Sequence, residues 1–554
     1  MVSAFVDALE TPSEMTRSVK LRPWQVRALD RFSASGTDFL AVATPGAGKT
    51  TFALAAALAD LAADPTRRLI VVAPTAHLKL QWAQAAAGLG LHLDPDWSST
   101  ASGLPADMHG VVVTYQQVAT AAIALRRLSG GAFVVLDEIH HAGDERAWGD
   151  SLRVAFEPAG RRLSLSGTPF RSDTVAIPFL RYVDDAAEPD FEYGYGDALA
   201  EGRVVRPVFF PRTDGRMEWT APDGLMRSAT FADRLDRTSS SQRLRTALSL
   251  HGEWLPSVIA SAHGRLLDLR RTQADAGGLV IATDQEHARG IAGLIRDRHG
   301  VSAAVAVSED PEASERIARF AAGDSHWLVA VRMVSEGVDI PRLRVGVYAT
   351  TTTTELFFRQ AVGRFVRWRP GLRRQQAYVF LPDDHRLRQW AIQITEQRRH
   401  NLARRTVEQD EEVERPVREQ PSDQMSLFAA ISATPLEVDA GNEPAFDDVD
   451  PEPAEADDGT LPIMLAPPPP LPGVAGGEVG DGVPASGVTR QKHKRALRRQ
   501  NTDRVRTLAR LTGLTHQKVN LELNQRAGIK TINEATVAQL ESRLRHADAW
   551  FRQL

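Results

Sequence analysis

The chain has 554 residues, 43% of them hydrophobic, which at roughly 150 residues per domain suggests three or four packed domains. It contains no cysteine, which excludes disulfides, thiolate zinc sites and cysteine nucleophiles and favours a reducing cytoplasm. The first fifteen residues carry acids where a signal peptide has a basic start, and the uncharged stretch 461–477 is interrupted by prolines. We therefore expect a cytoplasmic protein without a membrane span.

Short apolar runs alternate with helical patterns from about residue 20 to 400. Such runs, buried on both faces and separated by helices, predict parallel strands. The first set comprises FLAVA (39–43), LIVVA (69–73), VVV (111–113), FVVL (133–136) and LSLS (163–166). The second comprises LVIA (279–282), AAVAV (303–307), LVAV (328–331), VGVY (345–348) and AYVF (377–380). Two sets predict two α/β lobes.

The composition also predicts where these lobes begin and end. An extension (1–19) precedes a first lobe (20–185) and a second lobe (186–405), which carries a helical insertion at about 229–275. Residues 406–486 are rich in proline and acids, including eight acids and no base at 443–458, and predict a disordered linker. Residues 487–554 recover helical signals, with Thr515 as a helix cap and Gly528 as a terminator.

This last segment is strongly basic at its start. Residues 490–510 hold nine bases against one acid: Arg490, Lys492, Lys494, Arg495, Arg498, Arg499, Arg504, Arg506 and Arg510, with Asp503. Such a run attracts polyanions, although a solvated helix face has the same composition. We expect a small basic helical domain that grips DNA and is tethered to the lobes by the linker.

The stretch ATPGAGKT (43–50) resembles a phosphate-binding loop, with Ala43 in place of the usual first glycine. It follows an apolar strand and precedes a helix, as the motif requires. Gly46 and Gly48 give the backbone the freedom to direct N–H groups at phosphate oxygens. Lys49 would reach the β and γ phosphates of ATP, and Thr50 would bind Mg²⁺.

Further motifs follow in a fixed order: LRPWQ (21–25), FVVLDEIHHAGD (133–144), LSGTPFR (165–171), VSEGVDIP (334–341) and RQAVGRFVRW (359–368). Together with the phosphate loop, they resemble a superfamily 2 helicase motor of the DEAD/DEAH type over residues 20–385. This family commonly writes its phosphate loop A-x-x-G-x-G-K-T. The resemblance implies two tandem RecA-like lobes with ATP between them.

The same resemblance assigns roles to individual residues. Gln25 would read adenine, and Gly46, Ala47, Gly48, Lys49, Thr50 and Thr51 would bind the phosphates, with Thr50 and Asp137 holding Mg²⁺. Glu138 would orient or deprotonate the attacking water. Gln360, Gly363, Arg364 and Arg367 form the sixth motif, whose arginines would neutralise charge on the γ-phosphate, beside Gly337 and Asp339.

Coupling and nucleic-acid contacts follow in the same way. His140, Ser166 and Thr168 would couple the acidic motif to the SGT motif. A metal site at His140 and His141 is disfavoured, because no further His or Cys stands at ligand spacing. Thr75, Lys79, Thr114 and Ser335 are the candidates for contacts with the nucleic-acid backbone, which carry little sequence information.

One peptide in the linker suggests a protein partner. Gln424, Leu427 and Phe428 lie in QMSLF, which resembles the sliding-clamp-binding pentapeptide of bacteria; a chance match is the alternative.

The sequence thus predicts an ATP- and Mg²⁺-dependent DNA helicase or translocase in replication, repair or recombination. The alternatives are a duplex translocase that serves a restriction or defence system, an RNA helicase, and a non-catalytic DNA-binding adaptor.

Overall fold

A computed structural model describes residues 17–100, 103–143, 146–167, 176–183, 186–307, 310, 312–331, 340–372, 375–404, 429–439, 460–471 and 489–554. These residues divide into two compact units. The first draws on 1–42, 48–192 and 459–554, and the second on 43–47 and 193–458. No helix in the described ranges is long and apolar enough to cross a membrane.

The first unit is built on a seven-stranded sheet in the order β10-β2-β7-β6-β3-β5-β4. Its strands are β2 (Asp38–Ala43), β3 (Leu69–Ala73), β4 (Leu93–Asp94), β5 (Gly110–Thr114), β6 (Phe133–Leu136), β7 (Arg161–Ser166) and β10 (Phe191–Tyr193). In this spatial order, every pair of neighbouring strands from β2 to β4 is parallel. Two-residue strands β8 (Tyr182–Val183) and β9 (Ala186–Ala187) form a separate hairpin.

Helices connect these strands, as parallel pairing requires. They are α1 (Pro23–Ser33), α2 (Lys49–Ala63), α3 (Ala76–Gly88), α4 (Tyr115–Leu128) and α5 (Arg146–Phe156), with a 3₁₀ turn at Ile139–Gly143. Every residue of β3 and β6 is buried, which explains their unbroken apolar sequences. The loops that carry the phosphate-binding and acidic motifs therefore leave the carboxyl ends of buried parallel strands, where α/β proteins bind ligands.

The second unit has a nine-stranded sheet. Its main path is β13-β12-β18-β17-β14-β16-β15, with β11 on β18 and β19 on β12. The parallel part contains β11 (Val208–Phe209), β14 (Gly277–Ala282), β15 (Ala303–Ala306), β16 (Trp327–Ala330), β17 (Leu343–Ala349) and β18 (Ala377–Pro382). Strand β12 (Arg212–Thr220) adds antiparallel partners β13 (Met226–Thr230) and β19 (Ala429–Asp439).

The helices of the second unit are α6 (Tyr195–Glu201), α7 (Arg237–Ala247), α8 (Trp254–Arg270), α9 (Gln285–His299), α10 (Ala313–Ala322), α11 (Glu355–Val362) and α12 (His385–Arg404). Both lobes have the predicted parallel α/β architecture, and all ten predicted strands form within a few residues of their expected bounds. The predicted helical insertion at 229–275 contains α7 and α8 but begins in β13.

The range assigned to the linker contains regular structure. Strand β19 joins the edge of the second sheet, and β20 (Leu461–Leu465) pairs antiparallel with β1 (Arg17–Leu21) in the first unit. The imidazole of His109 also contacts the carbonyl oxygen of Pro469 at 3.0 Å. The predicted linker 406–486 therefore does not include residues 429–439 and 461–465, which form β19 and β20. Most of its other residues lie outside the described ranges.

The carboxyl-terminal domain is a set of three helices, α13 (Arg490–Thr512), α14 (His516–Arg526) and α15 (Val537–Gln553). Thr515 caps α14 and Gly528 follows it with a positive φ of 64°, as the sequence predicts. Apolar side chains form its core: Leu497, Val505, Leu508, Val519, Leu523, Leu540 and Ala547. The fully buried Arg543 donates hydrogen bonds to the side-chain oxygens of Asn501, Asn520 and Asn524.

This domain is held on the first lobe by a buried ion pair. Lys494 of α13 donates to Asp107 at 2.7 Å, and each of the two side chains is only 1% exposed. The second carboxylate oxygen of Asp107 accepts a hydrogen bond from the backbone of Val537, the first residue of α15. One carboxylate of the first lobe therefore fixes two helices of the domain.

Further contacts surround this pair. Arg498 binds Asp94 at 2.8 Å, Arg495 binds Asp96 through its Nε at 2.9 Å, and Asn533 donates to Ser98. The expectation that this domain is joined to the lobes only by the linker therefore needs correction. Three of the nine bases bind carboxylates of the first lobe, and the domain is docked on it.

We predict that Lys494→Met destabilises the first unit by about 3–5 kcal/mol, because it leaves the carboxylate of Asp107 buried without its cation. Lys492→Met removes the same charge from an exposed position of the same helix, and its effect should stay within about 0.5 kcal/mol. Adding Asp107→Asn to Lys494→Met should recover much of the loss. Urea denaturation of the full chain measures all three, and equal midpoints for the two lysine variants would contradict the buried pair.

Candidate active site

The phosphate loop has the backbone that its glycines permit. Gly46 and Gly48 have φ of 86° and 97°, values that favour glycine, and Gly48 caps α2. Ala43 is the buried last residue of β2, so the missing glycine is not needed there. A Cβ on Gly48 would lie 2.7 Å from the amide nitrogen of Gln25. This position therefore tolerates only glycine.

Gln25 is buried between the start of α1 and the phosphate loop. Its amide oxygen accepts a hydrogen bond from the backbone of Arg22 at 2.7 Å, and its amide nitrogen donates to the carbonyl of Gly48 at 2.8 Å. Gln25 thus fixes the loop against α1. Its predicted role as the adenine reader stays a prediction.

An ion pair joins the loop to the acidic motif. Lys49, the first residue of α2, donates to Glu138 at 2.9 Å, and the two side chains are 12% and 26% exposed. Glu138 has a positive φ of 47°, which is uncommon for a residue other than glycine. The strained turn after β6 therefore directs this carboxylate at the amino-terminal end of α2.

Other groups bind the same carboxylate. Its second oxygen accepts from the backbone N–H of Gly167 at 3.0 Å and lies 3.7 Å from Nδ1 of His140. Burial disfavours ionisation of Glu138, but the charges of Lys49 and His140 outweigh this effect and hold its pKa well below the usual range. Glu138 is therefore ionised at neutral pH.

Asp137 lies in a different environment. Burial, and after it the negative charge of Glu138, raise the pKa of this carboxyl to about 6 against the opposing effect of Lys49. The indole Nε1 of Trp82 donates to Asp137 at 2.7 Å, and the hydroxyl of Tyr115 donates to its backbone oxygen at 2.9 Å. Two helices, α3 and α4, thus contact one residue of the acidic motif.

These residues fit ATP and Mg²⁺. A loop with two left-handed glycines and a lysine at the start of a helix suits phosphate oxygens. A buried aspartate whose pKa is raised by a neighbouring negative charge is a position where a divalent cation is stabilised. Lys49, Thr50 and Asp137 would hold these groups. In the described ranges no cluster of three or more His, Cys, Asp or Glu forms a separate metal site.

The coupling candidates are partly described. His140 and Ser166 are both buried, and Nδ1 of the former lies 3.3 Å from the hydroxyl of the latter. This contact joins the acidic motif to the end of β7, as the coupling hypothesis requires. The ring centroid of His141 lies 4.6 Å from the ring centroid of His140. Thr168 lies outside the described residues.

The sixth motif lies at the end of α11 in the second unit. Gln360 and the partly buried Arg364 and Arg367 are described there. Arg367 lies next to Gly46, which belongs to the same unit. A Cβ atom placed on Gly46 would lie 3.0 Å from Cδ of Arg367. The fifth-motif residues Ser335, Gly337 and Asp339 lie outside the described residues.

Two of the nucleic-acid candidates contact the same glutamine, and a third lies at the adjacent strand end. Lys79 of α3 donates a hydrogen bond to the side chain of Gln117 in α4 at 3.0 Å. The side chain of Gln117 also forms a capping box with Thr114 at the start of α4. The hydroxyl of Thr75 caps α3 by accepting a hydrogen bond from the backbone of Leu78. Thr75 follows β3, which pairs with β5, and β5 ends at Thr114. The adjacent ends of β3 and β5 therefore bring Thr75, Lys79 and Thr114 to one edge of the sheet.

Sequence reasoning missed the roles of Gln117, Trp82 and Tyr115. All three fall in the segments APTAHLKLQW (73–82) and TYQQ (114–117), which contain Thr75, Lys79 and Thr114, but nothing in the local pattern shows which groups they contact. The clamp-binding hypothesis stays a prediction, because Gln424, Leu427 and Phe428 lie outside the described residues.

Comparison with known proteins identifies the family. Residues 22–175 match the DEAD/DEAH box helicase, and residues 264–369 match the helicase conserved C-terminal domain. The chain therefore contains the two conserved domains of a DEAD/DEAH box helicase. Members of this helicase family use ATP with Mg²⁺, and the two matches fall on the two units in turn.

Relatives and solved structures extend this comparison. An uncharacterized protein of Mycobacterium tuberculosis (strain H37Rv) is 47% identical over 402 residues, which cover 71% of this chain and 66% of that protein. One from Mycobacterium leprae (strain TN) is 47% identical over 393 residues, 69% of this chain and 65% of that protein. A fragment described as an HsdR subunit of a type I restriction enzyme from Vibrio vulnificus has a TM-score of 0.48 and 16% identity, with coverage of 67% and 65%. Dbp5 of S. cerevisiae, bound to RNA and ADP BeF3, has a TM-score of 0.41 and 15% identity, with coverage of 68% and 87%.

The Trp82 hydrogen bond gives a prediction about pH. Because this bond lowers the pKa of Asp137, Trp82→Phe should raise that pKa above its value of about 6. If Asp137 binds Mg²⁺ in its ionised form, the acid limb of the ATPase pH profile should move to higher pH, by about half a unit. Steady-state rates at fixed Mg²⁺ across pH 5–9 measure the shift.

Trp327→Phe is the matched control. It removes an equivalent indole donor, which binds His263 in the second unit. Its pH profile should superpose on that of the wild type. A superposable profile for Trp82→Phe as well would show that this hydrogen bond does not act on the acidic motif.

Proposed function

We propose that the chain is a nucleic-acid-stimulated ATPase that moves along DNA or unwinds it. The observation that carries this proposal is the contact of Lys49 with Glu138, beside the buried Asp137 and the backbone of Gly167. It brings Lys49 of the phosphate loop, the acidic motif and Gly167 of the SGT motif together in the first unit. These are the groups that hydrolysis of ATP requires.

Lys49 also controls the basicity of Glu138. In the ion pair, the ammonium holds the pKa of this carboxyl low and makes it a weak base. When Lys49 turns to the β and γ phosphates of ATP, its attraction for the carboxylate falls and the pKa of Glu138 rises. The carboxylate then becomes a better acceptor for the proton of the attacking water. Mg²⁺ at Thr50 and Asp137 supplies charge neutralisation at the phosphates.

The arginines of the sixth motif would neutralise charge that develops on the γ-phosphate. The position of Arg367 against Gly46 supports this role, because it places a guanidinium at the phosphate loop. Arg364 lies three residues earlier in the chain, in the turn that follows α11.

The track would be the sugar-phosphate backbone. Thr75, Lys79 and Thr114 lie at adjacent strand ends, and backbone contacts of this kind would let the motor move on any sequence. DNA is favoured over RNA because DEIH and EGVDIP resemble the DNA-directed branches of the family. ATPase rates with single-stranded DNA, duplex DNA and RNA test this choice directly, and stimulation by RNA alone would overturn it.

Strand separation is a further step beyond translocation. We expect the wild-type chain to displace a strand from a partial duplex in the presence of ATP. Displacement of a third strand from a triplex, without separation of the duplex, would instead identify a duplex translocase.

Glu138→Gln should abolish ATP turnover and leave ATP binding within a few-fold of the wild type, because the amide keeps the shape but cannot accept a proton. Glu157→Gln is the control, since this acid forms an exposed ion pair with Arg126. Phosphate release and equilibrium binding of a fluorescent ATP analogue measure the two quantities. Turnover near the wild-type rate in Glu138→Gln would refute the assignment of the base.

Arg364→Ala and Arg367→Ala should each lower kcat by at least about 10³-fold at saturating ATP, the low end for an arginine that stabilises the transition state. Arg369→Ala, whose guanidinium binds Asp275, should change kcat less than about threefold. A weaker affinity for ATP with an unchanged kcat would make the two arginines ground-state contacts instead.

A further inference from the structure

Seven of the nine bases of α13 fall into two groups, which lie on different faces of the helix. Lys494 and Arg498 face the first lobe, where they bind Asp107 and Asp94. Five others follow one another at intervals of three, four, seven and four residues, which places them on one face. We call this set the cationic stripe: Lys492, Arg495, Arg499, Arg506 and Arg510.

The stripe is open to solvent over most of its length. Lys492, Arg499, Arg506 and Arg510 are exposed. Arg506 pairs with Asp503, but both side chains are more than half exposed and such a surface pair is worth little. At 1.5 Å per residue the stripe is about 27 Å long, and a DNA duplex of that length carries roughly 16 phosphate charges. The array therefore matches a backbone of phosphates in length and sign.

One end of the stripe lies beside the candidate track. The charge of Arg495 is close enough to Lys79 to contribute to lowering its pKa, behind the larger effect of burial. Arg495 itself is held by Asp96. The part of the stripe at Arg495 therefore lies near Lys79, with the carboxylate of Asp96 close to both side chains.

A short loop fixes this arrangement. Residues 94–100 bind the helical domain through Asp94, Asp96 and Ser98 on one side. On the other side, the carbonyl oxygen of Trp97 accepts a hydrogen bond from Gln117, the residue that joins Lys79 to Thr114. The same loop therefore contacts both the domain and the candidate track.

We infer that the cationic stripe of α13 binds the phosphate backbone of the nucleic acid held by Thr75, Lys79 and Thr114. This inference rests on the proposed function for the identity of the polyanion. Because the domain is docked, the stripe is a rigid extension of the track. It orders no linker when it binds, and its position relative to Lys79 is set by the buried pair of Lys494 with Asp107.

An acidic protein surface could also bind five bases, but the position of the stripe favours nucleic acid. A polymer that contacts Lys79 and continues past Arg495 meets three exposed bases on one helical face. Each phosphate contact releases counterions, so the stripe adds affinity that depends steeply on salt.

The test compares two triple variants of the full chain with the same loss of charge. Lys492→Gln with Arg499→Gln and Arg510→Gln removes exposed stripe residues that make none of the docking contacts described above. Lys518→Gln with Lys530→Gln and Arg545→Gln removes three exposed bases elsewhere in the same domain. Affinity for duplex and for single-stranded DNA is measured by fluorescence anisotropy from 50 to 400 mM salt, and the thermal unfolding of each variant is checked.

The stripe variant should flatten the log-log salt slope on duplex DNA by about two to three and lose at least about tenfold in affinity at 0.1 M salt. Its ATPase rate at saturating DNA should equal that of the wild type, because no stripe residue belongs to the ATP site. The control variant should keep a slope within one of the wild type.

A wild-type slope in the stripe variant would overturn the inference. Equal flattening in both variants would also overturn it, since net charge and not the stripe would then be responsible. Because the readout is binding, the result stands independently of the proposed motor activity. An ATPase that ignores all nucleic acids would refute the proposed function while the salt slopes still decide the role of the stripe.

Discussion

The structure of the first unit depends on how a buried carboxylate, Asp137, and its partly buried neighbour, Glu138, are compensated. Asp137 and Glu138 follow β6, and each would be costly to bury alone. The groups that bind the pair come from the whole lobe: Lys49 from the phosphate loop, Trp82 from α3, Tyr115 from α4, His140 from the 3₁₀ turn and the backbone of Gly167 after β7. Because the groups that contact this pair come from every one of these elements, the contacts that stabilise the lobe also assemble the site.

The same contacts give a physical route between ATP and nucleic acid. Helix α3 carries Lys79 near its start and Trp82 one turn later, so a shift of this helix at the track would change a hydrogen bond to Asp137. Helix α4 begins beside Thr114, and its first residue, Tyr115, binds the backbone of the same aspartate. Either helix could therefore transmit a change at the phosphates to the track, and by thermodynamic linkage the reverse.

The parallel strands and the ATP motifs could be predicted because their signals are local. The run LIVVA is buried along its whole length, and the glycines of the phosphate loop are fixed by the backbone they must adopt. The docked domain could not be predicted in the same way. Lys494 looks like any member of a basic run, and its burial depends on Asp107, 387 residues earlier in the chain. Strands β19 and β20 could not be predicted either, because their partner strands are distant in the sequence and the residues around them are rich in proline and acids.

These contacts imply that the ATP site and the nucleic-acid track are energetically coupled. The most direct test of this coupling measures the affinity of the full chain for DNA twice, once with a non-hydrolysable ATP analogue bound and once with ADP bound. We predict that the two affinities differ by about 5- to 150-fold, and that saturating DNA changes the affinity for the analogue relative to ADP by the same factor. Equal DNA affinities in both nucleotide states, with both nucleotides bound, would contradict it.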